Sequence, residues 1–147
     1  MSYQVRNATL DDLDQIMALE KLSFGKDAWA KQTMRSELAA PHTYYLVAYE
    51  GQQVLGYAGL SKLPASQSAD VQTIAVSESS RRQGLGRDLM LRLIEQAALM
   101  QAVEIFLEVR QDKIAPQKLY ESLGFSEIDR RPNYYQPDGV AAIIMRM

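Results

Sequence analysis

The stretch from Asp70 to Val109 constrains this chain more than any other. Asp70-Val71-Gln72-Thr73-Ile74-Ala75-Val76 alternates apolar and polar residues, as a strand does. It runs through Ser77-Glu78-Ser79-Ser80-Arg81-Arg82-Gln83-Gly84-Leu85-Gly86 into a long helical pattern. Leu89, Met90, Leu93, Ile94, Ala97 and Ala98 fall on one face of that helix. Ile105-Phe106-Leu107-Glu108-Val109 then forms another strand. Strand, helix and strand make a βαβ unit, whose two strands lie parallel with a right-handed crossover.

The flanks supply what this unit packs against. Residues 3 to 7 predict a short first strand. Thr9-Leu10-Asp11-Asp12 offers a capping hydroxyl and an acidic first turn, and Leu13, Ile16, Met17, Leu19 and Glu20 continue at helical spacing to about Leu22. Ala30 to Leu38 predicts a second helix, ending before Pro41. Residues 44–49 and 54–60 form a hairpin about the turn Glu50-Gly51-Gln52. Pro64 to Ser68 is a loop. After the βαβ unit, Ala115 to Leu123 predicts a short helix with Gly124 at its C′ position. Phe125 to Asp129 and Ala141 to Met145 predict two antiparallel strands around a loop from Tyr134 to Gly139. The expected class is α+β: a mixed, mostly antiparallel sheet with a central parallel βαβ unit and helices on both faces. Residues 1–147 are expected to form a single domain, since no repeat or linker interrupts them.

Composition excludes several chemistries. The chain has no cysteine, so a thiolate zinc site, a disulfide framework and a cysteine acyl-enzyme are ruled out. His42 is the one histidine, so multi-His metal sites are ruled out too, and no metal is expected. His42 follows Pro41 at a helix end and reads as a surface or capping residue. A formal net charge of -2 gives no general attraction to nucleic acid or to an anionic membrane. Met1 to Arg6 lacks a signal peptide's apolar core, and no apolar run approaches the ~18 residues of a membrane span. The expected location is the cytoplasm.

The glycine loop carries the first functional signal. The leading N–H groups of a helix have no partner within it, and the helix dipole is positive there. Gly84 and Gly86 let backbone approach an anion, and Arg81, Arg82 and Arg87 add positive charge. This is a diphosphate site or, more blandly, a flexible turn with solvated arginines. The phosphate-loop pattern ending in Gly-Lys-Ser/Thr is absent, and a dinucleotide fingerprint fails because Leu89 stands where its third glycine belongs.

Arg81-Arg82-Gln83-Gly84-Leu85-Gly86 resembles the acyl-CoA pyrophosphate loop of the GCN5-related N-acetyltransferases, and the order of elements over nearly the whole chain fits their fold. Leu107-Glu108-Val109-Arg110, Leu119-Tyr120-Glu121-Ser122-Leu123-Gly124-Phe125, Asn133-Tyr134-Tyr135 and Ala142-Ile143-Ile144-Met145 narrow the likeness. Together they resemble the bacterial ribosomal-protein-alanine N-acetyltransferases of RimI type. The resemblance implies acetyl-CoA as co-substrate, bound by Arg81, Arg82, Gln83, Gly84, Leu85, Gly86 and Arg87. It implies a pantetheine arm paired like an added strand with the edge at Ile74, Ala75 and Val76, whose N–H groups face the thioester carbonyl. It implies a protein N-terminus as acceptor, the N-terminal alanine of a small-subunit ribosomal protein. After the Leu-Glu-Val-Arg run the family carries an Asn that contacts the cofactor; here Lys113 stands in that place.

Acetyl transfer to an amine needs a proton acceptor, a place for the oxyanion and a proton for the departing thiolate. An α-amino group titrates near ~8, so a weak base suffices. Glu108 shares a strand face with Glu104, Phe106 and Arg110, opposite Ile105, Leu107 and Val109. By spacing it is a solvated position, a partner for Arg110 or a base; the resemblance implies the general base. Tyr120 is a ring packed under the sheet or the acid for the thiolate, and the resemblance implies the acid. With no cysteine, direct attack in a ternary complex is the simpler mechanism.

Trp29, near Phe24, is a helix-packing anchor or a wall of the acceptor groove. Tyr134 and Tyr135 are adjacent aromatics in a loop, where burying both is difficult, so at least one is placed to reach the acceptor peptide. Two competing functions stay open: a lysine or small-amine acetyltransferase, and a non-catalytic acyl-CoA-binding module.

Overall fold

The computed structural model describes residues 2–81 and 83–147. Among them are seven strands: β1 (Gln4–Asn7), β2 (Thr43–Glu50), β3 (Gln53–Ser61), β4 (Ser68–Val76), β5 (Glu104–Arg110), β6 (Ser126–Tyr135) and β7 (Val140–Arg146). Four α-helices accompany them: α1 (Leu13–Phe24), α2 (Lys31–Ala39), α3 (Leu85–Leu99) and α4 (Ile114–Ser122). The strands form one sheet in the order β1-β2-β3-β4-β5-β7-β6. The pairing of β4 with β5 is parallel, and every other pairing is antiparallel. The expected mixed sheet is therefore present, with α3 as the crossover of its βαβ unit.

Both faces of the sheet are covered, because β2 and β3 alternate apolar side chains to two cores. Leu46, Ala48, Ala58 and Leu60 join Leu89, Met90 and Leu93 of α3 on one face. Tyr45, Val47, Val54 and Tyr57 join Ile16 and Met17 of α1 and Met34 of α2 on the other. Thr9 caps the chain's first helical turn in a capping box: its hydroxyl accepts the Asp11 N–H, and the Asp12 carboxylate accepts the Thr9 N–H at 2.8 Å. That turn, Leu10–Asp12, is 3-10 rather than α, and α1 follows it to Phe24.

Several expectations need correction. Ala98 is exposed: the buried side of the last turn of α3 is taken by Ala97, and Ala98, one position on, turns to solvent. Ser68 opens β4 instead of closing a loop. Phe125 precedes β6 and packs edge-on against Tyr120, with ring centroids 6.1 Å apart. Tyr134 and Tyr135 are not loop residues; they form the end of β6, and the turn to β7 is confined to 136–139. Two register shifts, at Glu127/Asp129 and Arg131/Tyr135, keep β6 paired with β7 through that stretch.

The feature that positions the site is a seam. β4 and β5 pair at Ser68↔Glu104, Ala69↔Ile105 and Asp70↔Phe106, and among the described residues the ladder goes no further. Beyond Asp70 the strands run unpaired to each other, although β4 stays bonded to β3 and β5 to β7. The edge from Val71 to Val76 is thus open toward β5.

Candidate active site

Alternation along β5 sets the two sides of the site. Ile105, Leu107 and Val109 are buried in the core beneath α3 and α4. Glu108 faces the other way, into a groove of about 460 Å³. Trp29 from the α1–α2 connection, Asp70 and Gln72 of β4, and Asp129 and Arg131 of β6 also line it. The Glu108 side chain is 42% exposed, so water reaches its carboxylate. Its cationic neighbour is Arg131, whose Nη1 stands 3.9 Å from Oε1. Arg110 is committed elsewhere, to Asp27, Asp112 and Asp138, so Glu108 is not its partner.

Two groups feel the Glu108 charge. The Tyr134 phenol is held above its ordinary value, by that charge first. Asp70, across the seam, is raised first by burial and then by Glu108. The groove thus gathers carboxylates from three strands, a setting that attracts an ammonium group.

Tyr120 lies on the opposite side. Its ring is buried in the core with Leu107, Val109, Leu89 and Phe125. Burial pushes its phenol up to about 12, so the hydroxyl keeps its proton at neutral pH. That hydroxyl makes no hydrogen bond among the described residues. Glu108 and Tyr120 are therefore separated by the sheet, and the open seam between β4 and β5 is where both can meet one ligand.

The β4 edge can supply donors there. Ser77 donates to the Leu55 carbonyl at 2.7 Å, in register with the Tyr57↔Ala75 and Gly59↔Thr73 pairs. Antiparallel alternation then turns the Ala75 N–H toward β3 and the Ile74 and Val76 N–H groups toward the seam. Of the three residues expected to donate, Ile74 and Val76 present their amides, and Ala75 spaces them.

The glycine loop sits at the end of this edge. Gly84 adopts φ 81° and precedes α3, and a Cβ built on it would meet nothing within 4 Å. The first helical bond runs from Asp88 N–H to the Gly84 carbonyl at 2.9 Å. The amides of Leu85, Gly86 and Arg87 consequently have no partner within the helix. Leu85 anchors the turn by its buried side chain. Arg87 donates to Ser122 Oγ at 2.9 Å, Arg81 reaches the Val76 carbonyl at 3.4 Å, and Gln83 bonds the Ser79 carbonyl at 3.0 Å. Arg82 lies outside the described residues. A left-handed glycine with open space, helix-terminal amides and an open strand edge fit a diphosphate followed by an extended arm. Lys113 is the N-cap of α4 and is exposed. It lines a second cavity, of about 320 Å³, with Lys26, Asp27, Arg110 and Asp138.

The sequence model of the acetyltransferase (GNAT) family matches residues 11–125. The chain belongs to the GNAT acetyltransferase family. Among GNAT relatives, N-alpha-acetyltransferase RimI of Mycobacterium tuberculosis is 36% identical over 141 residues, covering 94% of this chain and 87% of that protein. The ribosomal protein bS18-alanine N-acetyltransferase of Haemophilus ducreyi is 33% identical over 123 residues, covering 81% of this chain and 82% of that one. The crystal structure of the ribosomal-protein-S18-alanine N-acetyltransferase from Escherichia coli superposes with a TM-score of 0.88 at 29% identity. It covers 99% of this chain and 93% of that one. This GNAT chain is thus RimI-like in sequence and in fold.

Sequence reasoning passed over one residue of the site's surroundings. Glu20 lies among the apolar positions of α1 and is 1% exposed. Its carboxylate accepts from the Tyr57 hydroxyl, from Thr73 at 2.9 Å and from the Trp29 N–H at 2.9 Å. Trp29 is accordingly both things at once: it packs on the core beneath α1 and walls the groove. A charged residue at a core position of a helix was the available signal, since burial of a carboxylate demands partners.

Proposed function

We propose that this chain transfers the acetyl group of acetyl-CoA to the α-amino group of a protein N-terminus, the N-terminal alanine of a small-subunit ribosomal protein. The observation that carries the reading is the placement of Glu108 and Tyr120 on opposite faces of a sheet open between β4 and β5. A module that only binds acyl-CoA needs the loop at Gly84 but has no use for a carboxylate aimed into a separate groove. The named acceptor of the Haemophilus and Escherichia relatives supports the ribosomal choice.

Acetyl-CoA supplies the activated acyl group; the chain does the rest. The amides of Leu85, Gly86 and Arg87 hold the diphosphate, and the β4 edge holds the arm. Glu108 takes the proton of the acceptor ammonium, directly or through water, and passes it to solvent from its exposed carboxylate. The Ile74 and Val76 amides face the carbonyl oxygen as it gains charge. Tyr120 donates to the departing sulfur. A phenol near 12 is a weaker acid than a thiol of ordinary pKa near ~8.5, so it steadies the thiolate by a hydrogen bond and completes the transfer only as solvent re-protonates it.

The test is acetyl transfer to peptides that differ only in their first residues, with an N-terminally blocked, lysine-containing peptide alongside. Alanine-first peptides should be modified at the α-amine and the blocked peptide should not. Preferential modification of the lysine overturns the reading.

A further inference from the structure

Arg110 ends β5 and is 15% exposed, yet it carries more charged partners than any other described side chain. Its Nη1 donates to Asp27 at 2.5 Å, its Nε to Asp112 at 3.0 Å and its Nη2 to Asp138 at 2.8 Å. These carboxylates come from three separate segments. Asp27 closes the short turn Gly25–Asp27 between α1 and α2, two residues before the groove residue Trp29. Asp138 sits in the turn between β6 and β7. Asp112 follows β5 itself. The guanidinium carbon also lies 5.0 Å from the centre of the Tyr135 ring. Tyr135 meets Tyr134 edge-on, with centroids 5.1 Å apart and planes at 83°. Tyr134 in turn feels the Glu108 charge, which raises its phenol.

We infer that Arg110 is a positioning residue: one guanidinium clamps the α1–α2 connection to the β6–β7 turn and so sets the width of the acceptor groove between Trp29 and Arg131 of β6. The inference rests on the acceptor reading above. Its physics is that of three negative charges around one positive fork. With the fork in place each carboxylate is satisfied through directional, charge-assisted bonds. Without it the three repel one another, and the two walls are pushed apart. A lysine has one nitrogen and cannot span three partners in a plane.

The experiment compares Asp27→Asn, Asp138→Asn, Arg110→Gln and the doubles of each Asn variant with Arg110→Gln. Amide hydrogen exchange comes first, because it needs no acceptor. Asp138→Asn should speed exchange at 25–29, and Asp27→Asn should speed it at 133–139, each acting across the guanidinium. Kinetics with the best peptide follow. Each Asn variant should raise the acceptor KM by about five- to tenfold with the acetyl-CoA KM unchanged, and neither should add to Arg110→Gln. Unchanged exchange in both reciprocal segments overturns the clamp. Altered exchange with an unaltered acceptor KM overturns its role in the groove. Should Arg110→Gln not fold, the two Asn variants decide the matter by the same readings. If the wild-type chain modifies no peptide, the acceptor reading fails while the exchange result still stands or falls alone.

Discussion

Glu108 and Tyr120 stand on opposite faces of one sheet, the carboxylate in an open groove beside Trp29 and the phenol in the core beside Leu107 and Val109. They are twelve residues apart in sequence, on a strand and on the helix that follows it. The turn between those elements changes sides, so the pair brackets the seam.

Glu108→Gln is expected to slow transfer by about 10² to 10⁴, the usual worth of a positioned base. Acetyl-CoA affinity should change little, because no part of the glycine loop touches Glu108. The deficit should narrow as pH rises and more of the acceptor amine is already neutral. Steady-state rates from pH 6 to 9, with calorimetric titration of CoA, check both halves. Wild-type turnover at pH 7 removes Glu108 from the mechanism.

Tyr120 offers a cleaner separation of packing from chemistry. Its hydroxyl has no partner among the described residues, so Tyr120→Phe should leave the melting temperature nearly unchanged while turnover falls. Tyr120→Ala removes a buried ring and should cost about 3 to 5 kcal/mol. A Phe variant of full activity and full stability assigns the ring to the core alone.

Gly84 distinguishes shape from charge at the diphosphate site. Its φ of 81° makes any side chain strained, and the open space around it means strain is the whole cost of Gly84→Ala, roughly 1 kcal/mol. Gly84→Asp adds a negative charge where the helix-terminal amides point. Calorimetry should show CoA affinity reduced at least about tenfold for Asp and much less for Ala. Equal affinity for all three chains would move the diphosphate elsewhere.

Asp12 predicts an acid-sensitive step in stability. Arg6 grips its buried carboxylate with two bonds of 2.8 Å, the Thr9 N–H adds a third, and its pKa is held below the ordinary value. A depressed carboxylate contributes stability in full above its unfolded pKa, near ~3.9, and loses it as pH falls through the folded value. Chemical denaturation between pH 6 and 2.5 should show a steeper loss for wild type than for Asp12→Asn below about pH 4. Parallel curves would mean that the pair contributes nothing.

Legibility in the sequence followed the range of the forces involved. The βαβ unit, the capped first helix and the glycine loop ahead of α3 were readable because alternation, capping and helix punctuation act within a few residues; that Gly84 is left-handed was not. The reach of β6 to Tyr135 was not. All but its last residue are exposed, so no buried face imposes a period of two, and two bulges break what pattern remains. The insertion of β7 between β5 and β6 arises from pairing and leaves no local mark. Glu108 could be placed on its face by alternation, but its neighbour Arg131 could not be foreseen, since it comes from β6. Arg110 was visible as a residue and silent as a hub, because Asp27 is 83 residues away and Asp138 is 28.

The seam has a consequence for the molecule's endurance as well as for its chemistry. Three ladder pairs join the β1–β4 half of the sheet to the β5–β7 half, and α3 with bonds such as Arg110–Asp27 adds to that narrow connection. A ligand that lies along β4 as an extra strand completes the missing ladder and binds only the folded chain. Saturation at a hundredfold excess over Kd adds about 2.7 kcal/mol to stability. A chain holding such a ligand should therefore melt at a higher temperature than the free chain, by an amount that grows with ligand concentration.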